Sequence, residues 1–181
     1  MPTNLLTRKI GRHFDLIDTN GDGSITWDDF ELIISRMAKE FSLPVSAPRI
    51  IALSDAYQGL WDGLRESMDT DGDGEISREE YVAGLESDAA SGEGYRRLVV
   101  PVAKAIIALG DTDGDGRLDS EELARIHAGL GMGDKDHQEA MARIDLDGDG
   151  YVTEQELAQA IEEFFLSDDE SAGGNHLFGK I

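Results

Sequence analysis

A twelve-residue acidic pattern occurs four times in this 181-residue chain, and no other feature constrains the fold as much. The copies read DTNGDGSITWDD, DTDGDGEISREE, DTDGDGRLDSEE and DLDGDGYVTEQE, and are called loops one to four. They occupy residues 18–29, 69–80, 111–122 and 145–156. Oxygen-bearing side chains stand at positions 1, 3 and 5, glycine at position 6 and an apolar residue at position 8. A pattern that recurs in one register predicts four copies of one structural unit.

The spacing within each loop suits a calcium ion, which takes about six to eight oxygen ligands. Positions 1, 3 and 5 supply side-chain oxygens, and glycine at position 6 allows a sharp turn through positive φ. Position 7 supplies a backbone carbonyl, so its side chain is free to vary, and position 12 supplies a carboxylate. The predicted metal ligands are Asp18, Asn20, Asp22, Ser24, Asp29, Asp69, Asp71, Asp73, Glu75, Glu80, Asp111, Asp113, Asp115, Arg117, Glu122, Asp145, Asp147, Asp149, Tyr151 and Glu156.

Loop one differs from the others at position 12, where it has Asp29 in place of glutamate. Aspartate is one methylene shorter, so the loop must tighten before both carboxylate oxygens reach one ion. We therefore expect weaker calcium binding at loop one, or tolerance of magnesium, which takes fewer and closer oxygens. The alternative interpretation of all four segments is a set of solvated acidic turns. Four copies in one register favour metal binding over that alternative.

Apolar residues at helical spacing flank the loops and predict a helix on each side of each loop. Ile10, Phe14 and Ile17 precede loop one, and Phe30 and Ile33 follow it. The helices that leave the loops carry predicted caps. These are Ser77 with Glu80 after loop two, Ser120 after loop three, and Thr153 with Glu156 after loop four. The apolar residues at position 8, which are Ile25, Ile76, Leu118 and Val152, predict short β-bridges between paired loops.

The connections divide the chain into two predicted halves and a tail. An N-terminal loop pair spans residues 1–90, a C-terminal pair spans 95–166, and a tail spans 167–181. The segment SDAASGEG at 87–94 predicts the boundary between the halves. The acidic and glycine-rich composition of the tail predicts a loose segment.

Three prolines set expectations about the helices. Pro44 and Pro48 forbid one continuous helix between loops one and two. Pro101 lies in an apolar run and either begins or kinks the helix before loop three.

Composition excludes several classes of function. The chain carries 16 Lys+Arg against 38 Asp+Glu, a net charge of −22, which argues against binding nucleic acid or anionic lipid by charge. It has no cysteine and no apolar run of membrane-spanning length, so we expect oxygen ligands and a cytoplasmic location. The four histidines have no zinc spacing, and no nucleophile or phosphate-binding motif is present, so we expect no enzyme.

These motifs make the chain resemble the EF-hand proteins, and among them the sarcoplasmic calcium-binding proteins of the bacterial calerythrin type. The long gap between loops one and two, the LVVPVAKAI run and the NHLFG ending carry the narrower resemblance. It implies an all-α, compact globule of two packed EF-hand pairs that buffers or transports calcium. It also implies that Leu177 and Phe178 pack back onto the core. Family members often have a degenerate loop, frequently the second, whereas loop two is intact here.

Three functions remain open at this point. The first is a monomeric intracellular calcium buffer, and the second is a sensor that opens an apolar groove for a target protein. Sensor grooves are rich in methionine, whereas Met37, Met68, Met132 and Met141 are scattered singly here, which favours the buffer and leaves no target protein evident. The third is a carrier of the luciferin-binding type, with an interior pocket. His13, Tyr57, Trp61 and Tyr95 are its candidate lining residues.

Overall fold

The computed structural model describes residues 4–88 and 92–179, with only the backbone for Asn4, Asp88 and Tyr95. Its α-helices are α1 (Asn4–Ile17), α2 (Trp27–Glu40), α3 (Pro48–Met68), α4 (Arg78–Asp88), α5 (Val100–Gly110), α6 (Ser120–Gly129), α7 (Asp134–Ile144) and α8 (Glu154–Leu166). Its strands are β1 (Ser24–Ile25), β2 (Ile76–Ser77), β3 (Arg117–Asp119) and β4 (Tyr151–Thr153). None of the described helices is both long and apolar enough to cross a membrane.

Each loop lies between two helices, and the loops pair through short antiparallel strands. Strand β1 pairs with β2, and β3 pairs with β4. The position-8 residues face each other, Ile25 against Ile76 and Leu118 against Val152, and all four are buried. The predicted all-α fold with β-bridges between paired loops is confirmed.

The two loop pairs pack on one another through their apolar faces. Helix α2 contacts α6, α3 contacts α5, and α1 contacts α8. The approach of α2 to α6 is close, since a Cβ added at Gly129 would lie 2.3 Å from Sδ of Met37. Phe14, Phe30 and Phe164 are fully buried in one continuous core that both pairs share.

The prolines lie where a helix tolerates them. Helix α2 ends before Pro44, and Pro48 is the first residue of α3, where its missing N–H has no helical partner. Pro101 is the second residue of α5 and follows a π-helical turn, Tyr95–Val99, so it lies where the geometry changes from π-helical to α-helical. The predicted boundary segment 87–94 includes residues 89–91, which lie outside the described part of the chain.

A cavity of about 440 Å³ lies between the two loop pairs. Most of its lining is aliphatic, from helices of both halves, and a polar pair faces it, with His13 Nδ1 2.6 Å from the hydroxyl of Tyr81. Burial lowers the pKa of His13 to about 3 and raises that of Tyr81, so both groups are neutral at pH 7. Tyr57 also lines the cavity. Trp61 is instead buried beside Phe30.

The described part of the tail packs on the core, unlike the loose segment that composition predicts. After a 3₁₀ turn, Gly173–His176, Leu177 is buried and Phe178 contacts the ring of Phe164. The turn lies so close to α8 that a Cβ at Gly174 would be 2.2 Å from the carbonyl oxygen of Ala160. Composition could not reveal this packing, because it depends on two glycines at a helix surface.

A buried ammonium group joins the first helix to the tail. Lys9 is fully buried, and its Nζ donates to the carbonyls of Glu163 and Ser167, at 2.8 and 2.5 Å, and to Oδ1 of Asn175 at 3.1 Å. Burial lowers the pKa of Lys9 to about 8, against the raising influence of Asp168 and Glu163. The ammonium therefore donates hydrogen bonds both to carbonyls at the C-terminal end of α8 and to the tail.

We predict that Lys9→Met destabilises the protein and frees the tail. The substitution leaves the Ser167 carbonyl and the Asn175 amide oxygen without this donor, and each such buried group costs roughly 1–3 kcal/mol. Urea unfolding in calcium should show a loss of roughly 2–4 kcal/mol, together with faster proteolysis after residue 166. Lys104→Met removes the same charge from an exposed position on α5 and is the control. Equal stability of the two variants would contradict the prediction.

Candidate metal centres

The acidic residue at position 12 closes each loop by accepting backbone hydrogen bonds. In loop two, Oε1 of Glu80 accepts the N–H of Thr70 at 2.8 Å and Oε2 accepts that of Ser77 at 2.9 Å. These hydrogen bonds, that from Ser77 first, lower the pKa of Glu80 to about 2. The donors stand at positions 2 and 9, so the carboxylate joins the start of the loop to the helix that follows. Donors at the same two positions reach Asp29, Glu122 and Glu156.

Inner acidic side chains fix the path of each loop. In loop three, Oδ2 of Asp111 accepts the N–H of Gly116 at 3.1 Å, and Gly116 has a φ of +83°, which favours glycine. Asp113 accepts the N–H of Asp115 at 3.1 Å, and Asp115 accepts that of Arg117 at 2.8 Å. The position-7 N–H groups of Ser24, Glu75 and Tyr151 make the equivalent bonds. The carbonyls of position 7 remain predicted ligands.

Carboxylate oxygens converge in three of the four loops. One oxygen from each member of three trios lies within 4.8 Å of its partners: Asp69, Asp71 and Asp73; Asp111, Asp113 and Glu122; and Asp145, Asp147 and Glu156. Ligands at about 2.3–2.6 Å from one calcium ion are at most about 5 Å apart, so these donor sets fit that ion. Like charges held this close repel each other, and a divalent cation relieves the repulsion.

Loop one is arranged differently around its shorter acid. Asp29 is fully buried, and its Oδ1 accepts the N–H groups of Thr19 and Asn20 while its Oδ2 accepts that of Thr26. The Asn20 amide donates to Oδ2 of Asp22 at 2.8 Å. Within the described residues no trio of converging carboxylates forms in this loop. The backbone engages both oxygens of Asp29, as it does those of the position-12 glutamates, so weaker calcium binding at loop one stays a prediction.

Two kinds of contact in the loops were not predicted from the sequence: hydroxyl bonds at position 2 and the cap of α6. The hydroxyls of Thr70 and Thr112 donate to Oε1 of the position-12 glutamates, at 2.8 and 2.7 Å. The recurrence of threonine at position 2 in loops one to three is the sequence signal for this contact. Ser120 was predicted to cap α6, and this is wrong. The cap is Asp119, whose Oδ1 accepts the N–H groups of Glu121 and Glu122 at 2.8 Å.

Arg117 makes a contact that its role as a backbone ligand does not require. Its guanidinium lies 3.2 Å from Oδ2 of Asp115 in its own loop and 3.6 Å from Oδ2 of Asp149 in loop four. Its Cζ is 4.0 Å from the centre of the Tyr151 ring. The loop pattern alone predicts only that the side chain at this position is free to vary.

The loops, their flanking helices and their pairing define the class of protein. The chain belongs to the EF-hand family, because the model of the EF-hand domain pair matches residues 7–86 and 108–162. It is similar to calerythrin from Saccharopolyspora erythraea, with 28% identity over 166 residues, which are 91% of this chain and 94% of that protein.

Solved structures agree with this assignment. One is that of a calcium-binding protein of Streptomyces coelicolor, which is 32% identical and has a TM-score of 0.80. Its structure is described as the structural basis for prokaryotic calcium-mediated regulation by that protein. That match covers 91% of this chain and 99% of the other. A sarcoplasmic calcium-binding protein from amphioxus matches over 100% of both chains, at 24% identity and a TM-score of 0.75. The predicted likeness to sarcoplasmic and calerythrin-type proteins is confirmed.

We predict that exchanging the position-12 acids shifts ion preference in opposite directions. Asp29→Glu adds the missing methylene, so loop one should gain calcium affinity, about threefold to tenfold, relative to magnesium. Glu80→Asp should cause the opposite change in loop two. Calorimetric titrations with each ion, with Trp27 emission reporting on loop one, measure both effects. Unchanged calcium-to-magnesium ratios in both variants would show that side-chain length at position 12 does not set the preference.

Proposed function

We propose that this protein is a calcium buffer that acts by ion binding at its four EF-hand loops rather than by catalysis. The observation that carries the proposal is the mutual burial of the apolar faces of the two loop pairs. A sensor must expose such a face to a target, whereas here α2 covers α6 and α3 covers α5. A buffer works as a monomer without a target, and we propose that state here.

The methionines support the same proposal. Met37 and Met68 are buried against glycines of neighbouring helices, where a Cβ at Gly129 or Gly84 would collide with them. Sensor grooves instead present flexible methionines to a partner. Opening this interior would also separate Leu177 and Phe178 from the core that they cover.

Electrostatics gives calcium a large role in stability. Net charge is −22, and four calcium ions would reduce it to −14 by adding eight positive charges. Each ion that binds the folded chain alone stabilises it by about 2.7 kcal/mol at a hundredfold excess over the dissociation constant. The metal-free protein keeps its converging carboxylates without that compensation.

We predict that calcium raises the melting temperature strongly and decreases the binding of a hydrophobic dye. The first effect follows from ion binding to the folded state, and the second from an interior that closes when the loops are filled. Melting curves and dye titrations, each in chelator and in calcium, measure them, and calorimetry on the same sample gives the number of ions. Equal melting temperatures would exclude calcium-linked folding. Dye binding that rises with calcium would favour a sensor, the kind of role suggested by the description of the Streptomyces coelicolor protein.

A second candidate function rests on the cavity. Its volume of about 440 Å³ falls within the range of small-molecule sites, and its lining is mainly apolar with a few polar groups. The neutral pair of His13 and Tyr81 supplies hydrogen-bonding atoms without a net charge. The lining also includes one acid and one base, Glu93 and Arg97, so the site suits a ligand without net charge, as in a carrier of the luciferin-binding type.

We predict that the cavity binds a neutral naphthylamine dye, and this binding tests the second function. Ala103 lines the cavity, whereas Ala108 on the same helix is exposed. Ala103→Phe should fill the cavity and weaken dye binding at least tenfold, and Ala108→Phe should leave it unchanged. Calcium titrations of both variants show whether the loops still bind calcium. If the wild type takes up no dye, or if both variants bind it equally well, the cavity is not a ligand site.

A further inference from the structure

One cation lies between the two loops of the C-terminal pair. The Arg117 guanidinium approaches Asp115 at 3.2 Å through Nη2 and Asp149 at 3.6 Å through Nη1. These two acids are the predicted position-5 ligands of loops three and four, so one charge is shared by two candidate sites. The face of the guanidinium packs on the Tyr151 ring, which holds it over both loops.

The N-terminal pair has a different arrangement at the equivalent positions. The position-7 residues there are Ser24 and Glu75, and the serine hydroxyl donates to Oε2 of Glu75 at 2.7 Å. Across residues 4–88 and 92–179, no Lys, Arg or His forms an ion pair with Asp22 or Asp73, the position-5 acids of that pair. The shared cation thus distinguishes the C-terminal pair.

We propose that Arg117 is an internal counter-ion that loops three and four share, and that it both lowers their calcium affinity and links their filling. This inference rests on the proposed calcium binding at those loops. In the metal-free protein the guanidinium partly neutralises Asp115 and Asp149. A calcium ion that takes either carboxylate repels the guanidinium, which then turns out toward solvent.

The filling of loops three and four is linked because both loops contact the one guanidinium of Arg117. The first ion must break the contacts of Arg117 with both loops, because one guanidinium makes them. The second ion finds its position-5 carboxylate already released, so it binds more tightly than the first. Two sites that displace one group once therefore fill cooperatively.

The chemistry of arginine suits this role better than that of lysine. Its planar fork can contact two carboxylates at once, and its face stacks on an aromatic ring. The guanidinium stays charged at every relevant pH, so the effect does not depend on protonation. The side chain is 40% exposed, which leaves it a path into solvent when an ion arrives.

The expected size follows from Coulomb's law near a protein surface. A guanidinium several ångströms from a divalent ion, in a highly polar environment, changes affinity by about threefold to tenfold. Salt reduces such an interaction between partly exposed charges. The effect should therefore shrink as ionic strength rises.

The test compares Arg117→Gln with Arg125→Gln. Arg125 lies on α6 in the same half and pairs with Glu121, which is not a predicted ligand, so both variants lose one positive charge. Calorimetric calcium titrations at low and high salt are the main measurement. We expect Arg117→Gln to raise the affinity for the first ion in the C-terminal pair about threefold to tenfold and to reduce cooperativity. We expect Arg125→Gln to stay within twofold of wild type.

Two further comparisons test the same inference, and the first of them does not depend on calcium affinity. The metal-free Arg117→Gln protein should melt at a lower temperature than metal-free Arg125→Gln, because its loop carboxylates lose their counter-ion. Glu75→Arg should place a cation in the N-terminal pair and lower the calcium affinity of that pair, relative to Glu75→Gln. Circular dichroism shows that each variant is folded.

The outcomes separate this inference from the proposed function. If wild-type loops three and four bind no calcium, both fail. If they bind calcium, but Arg117→Gln has the same affinity and cooperativity as Arg125→Gln, the shared counter-ion is overturned and the buffer remains. Lower affinity in Arg117→Gln would also overturn it, because the guanidinium would then support the sites rather than compete with the ions.

Discussion

The hydrogen bonds of the position-12 carboxylate organise each metal loop and the helix that follows it. The same group accepts N–H donors from positions 2 and 9, so the loop entrance and the helix start are held by one side chain. A bound ion would therefore engage an oxygen already fixed by the backbone. Because such a carboxylate lies in the first turn of every outgoing helix, this contact ties the start of each helix to the entrance of its loop. Loop one depends on it most, since its Asp29 is shorter and fully buried.

Local features of the fold were predictable from sequence because the repeat specifies them residue by residue. The pairing of Ile25 with Ile76 and of Leu118 with Val152 follows from their common position in the loop. The break between α2 and α3 was predictable for an equally local reason, because Pro44 and Pro48 forbid one continuous helix. These predictions needed no knowledge of which helix meets which.

Features that depend on distant contacts were not predictable. The tail packs beside Lys9, which is more than 150 residues away from its partners and looks like an ordinary surface lysine in the sequence. The cavity arises where helices of both halves fail to fill the space between them, and no motif encodes such a space. The Arg117 contact needs the register of β3 against β4, which brings its side chain over loop four. Resemblance to a family anticipated the tail, although composition did not.

The link between Lys9 and Asn175 also affects how the chain can fold during synthesis. The ammonium of α1 has no place in the core until residues 163–175 have left the ribosome, although the first two loops are complete long before. Until then, α1 can pack on α4 of its own pair but lacks its contact with α8. The hydrogen bonds of the Lys9 ammonium therefore cannot form until the C-terminal segment has been made, even if the N-terminal pair folds first. The last residues of the chain thus complete the surroundings of its first helix.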